Sequence, residues 1–196
     1  MNNKHLTAML AGTLFAAMAQ QALAAKGPEY TYAELGYINL DADQTSGDGG
    51  GLNISFGVTD HIFLKFGYAR EFIEESGSSL KYDADLFQIG GGMHYGITDT
   101  IDVLGTVSYL DAEYSNGVPT NSDEGYLAEL GVRAMLTKAL ELNATLSAVQ
   151  LDGEDDIGYG VGAVFDITKN LALVGNYNRL DDAKANEFFV GMRMEF

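Results

Sequence analysis

The sequence predicts an all-β chain: a ten-stranded antiparallel up-and-down transmembrane β-barrel with short periplasmic turns and longer external loops. Apolar residues recur at every second position in block after block, which is the period of a strand. Four very short turns carry one repeated pattern, and longer polar connections lie between them. The polar phase of the alternation is too charged and too glycine-rich for an ordinary solvent-facing surface.

Taken in order, the alternation places strands over 29–40, 50–59, 61–73, 80–96, 100–114, 124–137, 139–151, 156–168, 170–180 and 186–196. In the fifth, Ile101, Val103, Val107 and Tyr109 alternate with Asp102, Thr106 and Ser108. In the seventh, Leu140, Leu142, Ala144 and Leu146 alternate with Glu141, Asn143, Thr145 and Ser147. The short turns read Val58-Thr59-Asp60-His61-Ile62, Ile97-Thr98-Asp99-Thr100-Ile101, Leu136-Thr137-Lys138-Ala139-Leu140 and Ile167-Thr168-Lys169-Asn170-Leu171. The repeating unit is therefore a strand pair. The longer connections are Asp41–Gly49, Glu74–Ser79, Ser115–Glu124, Asp152–Asp155 and Asp181–Ala185. An even strand count puts both chain ends on the short-turn rim, as insertion from one side of a bacterial outer membrane requires.

A soluble barrel hides its apolar phase, whereas a membrane barrel turns it to lipid and keeps a polar interior. The expected interior carries Glu34, Lys65, Glu129, Arg133, Glu187 and Arg193, with glycines leaving room for them. The apolar phase is expected to face acyl chains along each strand and to end in aromatics such as Tyr37, Tyr95, Tyr126 and Phe196. Closing the sheet leaves no backbone edge unpaired in lipid.

Composition narrows the remaining classes. The chain has 11 Lys+Arg against 28 Asp+Glu, a formal charge of −17, which excludes nucleic acid as a natural partner. With no cysteine there are no disulfides, thiolate metal sites or thiol chemistry. The first segment is expected to be a secretory signal peptide over residues 1–24, with Lys4 before an apolar run and Ala22-Leu23-Ala24 before the cut. Residues 25–196 then form the barrel domain.

These features resemble the small outer-membrane β-barrel domain proteins of Gram-negative bacteria, and in particular the subgroup found in outer membranes and shed vesicles and linked to biofilm and virulence. The resemblance lies in Tyr30-x-Tyr32-x-Glu34-x-Gly36-Tyr37, His61-Ile62-Phe63, Glu129-Leu130-Gly131-Val132-Arg133 and the C-terminal Val190–Phe196. It implies an outer-membrane or vesicle location and a C-terminal signal for the barrel-assembly machinery at Phe188, Val190, Met192, Met194 and Phe196. It implies no agreed activity and no cofactor.

The search for chemistry gives little. His61 and His94 both fall near the periplasmic rim, about a barrel height (~25 Å) from any nucleophile in the external loops, so no enzyme is expected. Asp41, Asp43, Asp48, Asp152, Glu154, Asp155 and Asp156 are candidates for loose cation binding in external loops, although the first stretch fails the EF-hand spacing at Ser46 and Leu52. Divalent cations would bridge such carboxylates to lipopolysaccharide, and Arg70 would reach a lipid phosphate. The lumen charges either pair and plug the bore or line a narrow, cation-preferring, porin-like channel. The plugged, monomeric surface protein is the leading expectation, serving envelope integrity or loop-mediated contacts.

Overall fold

A computed structural model describes residues 30–43, 45–75, 81–115 and 121–196. The expected signal peptide lies outside the described residues. Ten strands follow one another: β1 (Tyr32–Ala42), β2 (Thr45–Gly57), β3 (Ile62–Glu75), β4 (Lys81–Thr98), β5 (Ile101–Ser115), β6 (Asn121–Met135), β7 (Leu140–Leu151), β8 (Glu154–Asp166), β9 (Leu171–Leu180) and β10 (Ala185–Glu195). Each pairs antiparallel with its neighbours in sequence, and β10 returns to β1, so the sheet is a closed barrel. The strands tilt strongly. Stepping from partner to partner leads from Tyr32 through Ser55, Lys65, Gly90, Ser108, Leu127 and Val149 to Asp156. That path begins at the periplasmic end of β1 and finishes at the external end of β8.

The repeated threonine explains the short turns. Thr59 Oγ1 accepts from the His61 and Ile62 amides at 3.2 and 3.0 Å. Thr98, Thr137 and Thr168 each accept from the amide two residues on, at 3.2, 3.2 and 3.3 Å. A hydroxyl that satisfies a turn amide competes with the ladder and ends the strand there. The external link after β7 is tighter still, with Asp152 (φ 50°) and Gly153 (φ 78°) as its two residues. Positive φ at both positions is the geometry of a two-residue hairpin that follows sheet twist.

Two expectations require correction. The stretches Asp41–Gly49 and Asp152–Asp155 are not long loops: β1 runs to Ala42, β2 begins at Thr45, and β8 begins at Glu154. The apolar phase also does not face outward along the whole strand. On β5 the buried side chains read Asp102, Leu104, Thr106 and Ser108, then Leu110, Ala112 and Tyr114 toward the outside. On β7 they read Glu141, Asn143, Thr145 and Ser147, then Val149 and Leu151. β1 passes from Glu34 to Ile38 and Leu40. The outward face changes in the opposite sense, from Val107 and Tyr109 to Asp111 and Glu113 on β5, and from Leu35 and Tyr37 to Asn39 and Asp41 on β1.

The reason is the change of solvent. Seven of the ten strands, β2 to β8 at 12–18 residues, exceed the ~9–11 residues that cross the hydrocarbon layer. The excess stands above the lipid as a collar, where water outside demands charged side chains and apolar ones collapse inward. Ile38, Leu40, Ile73, Leu86, Leu110, Leu127 and Leu180, among others, pack there as one hydrophobic core inside the external half of the barrel.

Candidate functional site

The site is the lumen, mostly polar toward the periplasm, where Val164, Ala172 and Val174 beside the turn at 167–170 join the apolar core, and mostly apolar toward the outside, where Glu71 and Glu187 are buried among the core residues. Because alternate residues of every strand point inward, the six expected lumen charges, Glu34, Lys65, Glu129, Arg133, Glu187 and Arg193, are all buried. Five of them lie on the polar layers. Glu187 sits higher, on the inward face of β10 between Ala185 and Phe189, both members of the apolar core.

Glu34 and Arg193 are direct cross-strand partners where β1 meets β10. The guanidinium donates two hydrogen bonds to Glu34 Oε1, one of them from Nε at 2.8 Å, and lies over the Tyr32 ring at 4.5 Å. Lys65 on β3 reaches across to Glu129 on β6 at 3.3 Å, and the same oxygen accepts from the Thr106 hydroxyl at 2.6 Å. Arg133 binds Glu141 through two bonds of 2.7 Å. Such paired geometry offsets the cost of removing charges from water.

Sequence reasoning missed Glu141 as the partner of Arg133. The turn at 136–139 sets the hairpin register so that Arg133 lies opposite Asn143, and Glu141 is its diagonal neighbour on the inward face. It also missed Tyr30. That ring enters the periplasmic mouth ahead of β1, stacks on His94 at 3.6 Å and on Phe63 at 4.8 Å, and donates its hydroxyl to Asp102 at 3.2 Å. Arg133 lies 5.3 Å from the Tyr30 ring centre. The parity of Tyr30-x-Tyr32-x-Glu34 carries the signal, since all three share one face. His94 is inward, with Nδ1 3.5 Å from Asp102, and His61 is exposed in the turn beneath it.

The glycines have a role other than the expected one. Gly160 and Gly162 on β8 do not clear space for charges from across the bore. Their missing side chains let Asn178 and Asn176 of β9 lie flat against the wall. Phe189 lies over Gly36 in the same way.

On the collar, Asp41 and Asp48 belong to β1 and β2, and Glu154 and Asp155 to β8. Asp43 meets Lys184 at 3.5 Å. Asp156 is buried, and its carboxylate accepts from the amides of Ile157, Asp182 and Ala183 at 2.7, 3.1 and 3.0 Å, so it holds the β9–β10 turn. Among the described residues no three His, Asp or Glu converge as a metal cage. Arg70 points outward and is held by Asp83 at 3.1 Å and Asp85 at 3.8 Å. Lys81 is paired with Glu74 directly opposite, and that carboxylate raises its ammonium above the ordinary value. Phe188, Val190, Met192, Met194 and Phe196 all face outward on the last strand and its end.

Comparison with known proteins agrees with the architecture. The family model for the outer membrane protein beta-barrel domain matches residues 7–156. Among solved structures, the translocator domain of the autotransporter NalP from Neisseria meningitidis is similar with a TM-score of 0.54 at 10% identity, covering 99% of this chain and 96% of that one. The NanC porin gives 0.52 at 8% identity, covering 84% and 100%. The KdgM porin, in a complex with disordered oligogalacturonate, gives 0.50 at 12% identity, covering 83% and 99%. At these identities the likeness is one of fold. No curated protein matches the chain significantly.

Proposed function

The chain belongs to the outer membrane protein β-barrel domain family, found in Gram-negative bacteria, and on that premise we propose that it is a non-catalytic, monomeric surface protein with a closed lumen. It serves envelope integrity or contacts made through its acidic collar. The observation that carries the reading is the apolar core in the external half of the bore. Leu40, Ile73, Leu86, Leu110, Leu127 and Leu180 are each at most 1% exposed, with the carboxylates of Glu71 and Glu187 buried among them, and a tightly packed, largely hydrophobic constriction resists the passage of ions. Beneath it, the buried pairs Glu34–Arg193, Lys65–Glu129 and Arg133–Glu141 brace the wall.

The collar suits cation-mediated contact with lipopolysaccharide. Asp85 lies opposite Glu113, and Asp111 opposite Glu124, so like charges face each other across adjacent strands. Divalent ions shared with lipid phosphates would relieve that repulsion. Delivery by a signal peptide, insertion by the assembly machinery through the outward aromatic and apolar residues of β10, and release on vesicles complete the proposal.

A second reading, a narrow cation-preferring channel, draws on the acidic balance of the lumen and the fold shared with porins. Planar bilayers separate the two. The closed lumen predicts no stable single-channel conductance from purified protein. Steady conductance abolished by changing Lys65, Glu129 or Arg133 would overturn it in favour of the channel.

A further inference from the structure

We propose that the periplasmic half of the lumen is a hydrated vestibule, stoppered by Tyr30, that takes up small cations from the periplasmic side. The inference rests on the closed-lumen reading and adds an occupant and an entrance.

The first ground is hydration. Glu34 Oε2, Glu129 Oε1, Ser108 Oγ and Ser147 Oγ are buried, and no group of the protein hydrogen-bonds to them. Ser147 lies directly across from Glu129, and Ser108 is on the neighbouring strand, two residues beyond Thr106 on the same face. The second nitrogens of Arg133 and Arg193 (Nη1) are in the same position as donors. Buried polar atoms left without partners are strongly disfavoured, and a mixed set of donors and acceptors is one that water satisfies.

The second ground is charge. In these layers the carboxylates of Glu34, Asp102, Glu129 and Glu141 face the cations Lys65, Arg133 and Arg193, and Glu195 adds a further acid at the mouth. An acidic surplus inside a low-dielectric wall calls for a counter-ion. With no cage of three ligands among the described residues, that ion is held through its water.

The third ground is the entrance. The external route ends at the apolar core. At the periplasmic mouth Tyr30 lies outside the strand ladder, which begins at Tyr32, and its side chain is held by stacking on His94 and Phe63 and by Asp102 and Arg133. Its carbonyl is anchored by the Ser55 hydroxyl at 2.8 Å, so the moving part is the side chain.

The chain has no cysteine, so a single thiol reports access. Ser147→Cys, and separately Ser108→Cys in case the first fails to fold, are placed in the wild-type and Tyr30→Ala barrels. Folding is checked by the heat-dependent gel shift. Cationic and anionic methanethiosulfonates of matched size are then compared. With each rate divided by that reagent's rate toward a free thiol in solution, the expected result is labelling about tenfold faster by the cationic reagent, the scale on which a charged cleft concentrates counter-ions, with both rates raised by Tyr30→Ala. Thiols that stay unreactive in both folded Tyr30→Ala barrels overturn the vestibule while leaving the closed lumen standing. Equal normalised rates for the two reagents overturn the cation preference. Conductance of the wild-type barrel would instead sink the closed lumen, whatever the thiols do.

Discussion

Glu34 and Arg193, 159 residues apart in sequence, face each other across the seam at which the last strand closes on the first. Their ion pair is fully buried, so it checks closure: a barrel that fails to close leaves both charges exposed to lipid or to an unpaired edge. Removing one partner should be worse than removing both. Arg193→Ala is expected to cost about 3–5 kcal/mol, and Glu34→Leu with Arg193→Leu less than the single change. Urea unfolding followed by gel mobility measures both. Additive losses would show that the two residues act separately.

The change of solvent along each strand makes a depth prediction. Val103→Arg or Ala144→Arg, outward on the lipid-facing part, should each cost roughly 2–4 kcal/mol, whereas Gln150→Arg on the collar should cost about 0–1 kcal/mol. Similar penalties at all three sites would mean that lipid reaches the collar. Thr106→Arg and Thr145→Arg are inward and test whether the polar layers tolerate another cation. They should be milder than the mid-membrane changes if the chamber is wet.

The apolar core makes a packing prediction. Leu110→Ala or Leu127→Ala should destabilise the barrel by about 2–5 kcal/mol, as in a soluble protein core. A loss near zero in chemical unfolding would indicate that the external half is not packed.

Glycine substitutions should divide by face. At Gly162 a β-carbon collides with the Asn176 amide, so Gly162→Ala is expected to cost about 1–3 kcal/mol. At Gly175, on the outside, the nearest atom to such a carbon is the Phe189 carbonyl oxygen at 4.0 Å. Gly175→Ala should therefore be neutral or stabilising by about 0.4–1 kcal/mol. Thermal midpoints of the two variants in detergent decide the matter, and equal shifts would contradict the assignment.

Much of the architecture was legible because period two and turn chemistry are local. Thr59, Thr98, Thr137 and Thr168 mark their turns by direct hydrogen bonds to nearby amides, and the inward parity of Glu34, Lys65 and Arg193 follows from alternation alone. The inversion of faces was harder to read, since the alternation continues without a slip. In Ser108-Tyr109-Leu110-Asp111-Ala112-Glu113 the apolar members change parity at Leu110, so one apolar-outward phase carried along the whole strand gives the wrong face beyond Tyr109. The partner of Arg133 and the position of Tyr30 depend on register and on strand tilt, which no single strand records. The two-residue link at Asp152-Gly153 is obscured for a related reason: the acids around it suggest a solvated loop, yet Glu154 and Asp155 already belong to β8 and Asp156 holds a neighbouring turn.

The collar also bears on how the cell surface is recognised. A receptor, antibody or neighbouring molecule that meets Asp85, Asp111 and Glu113 meets hydrogen-bonded sheet continuous with the wall in the bilayer. Little conformational freedom remains to be lost on contact, so affinity there depends on shape and charge already in place. Escape from such a binder would come most simply through exchanges of the surface side chains it meets, which leave the paired strands beneath unchanged.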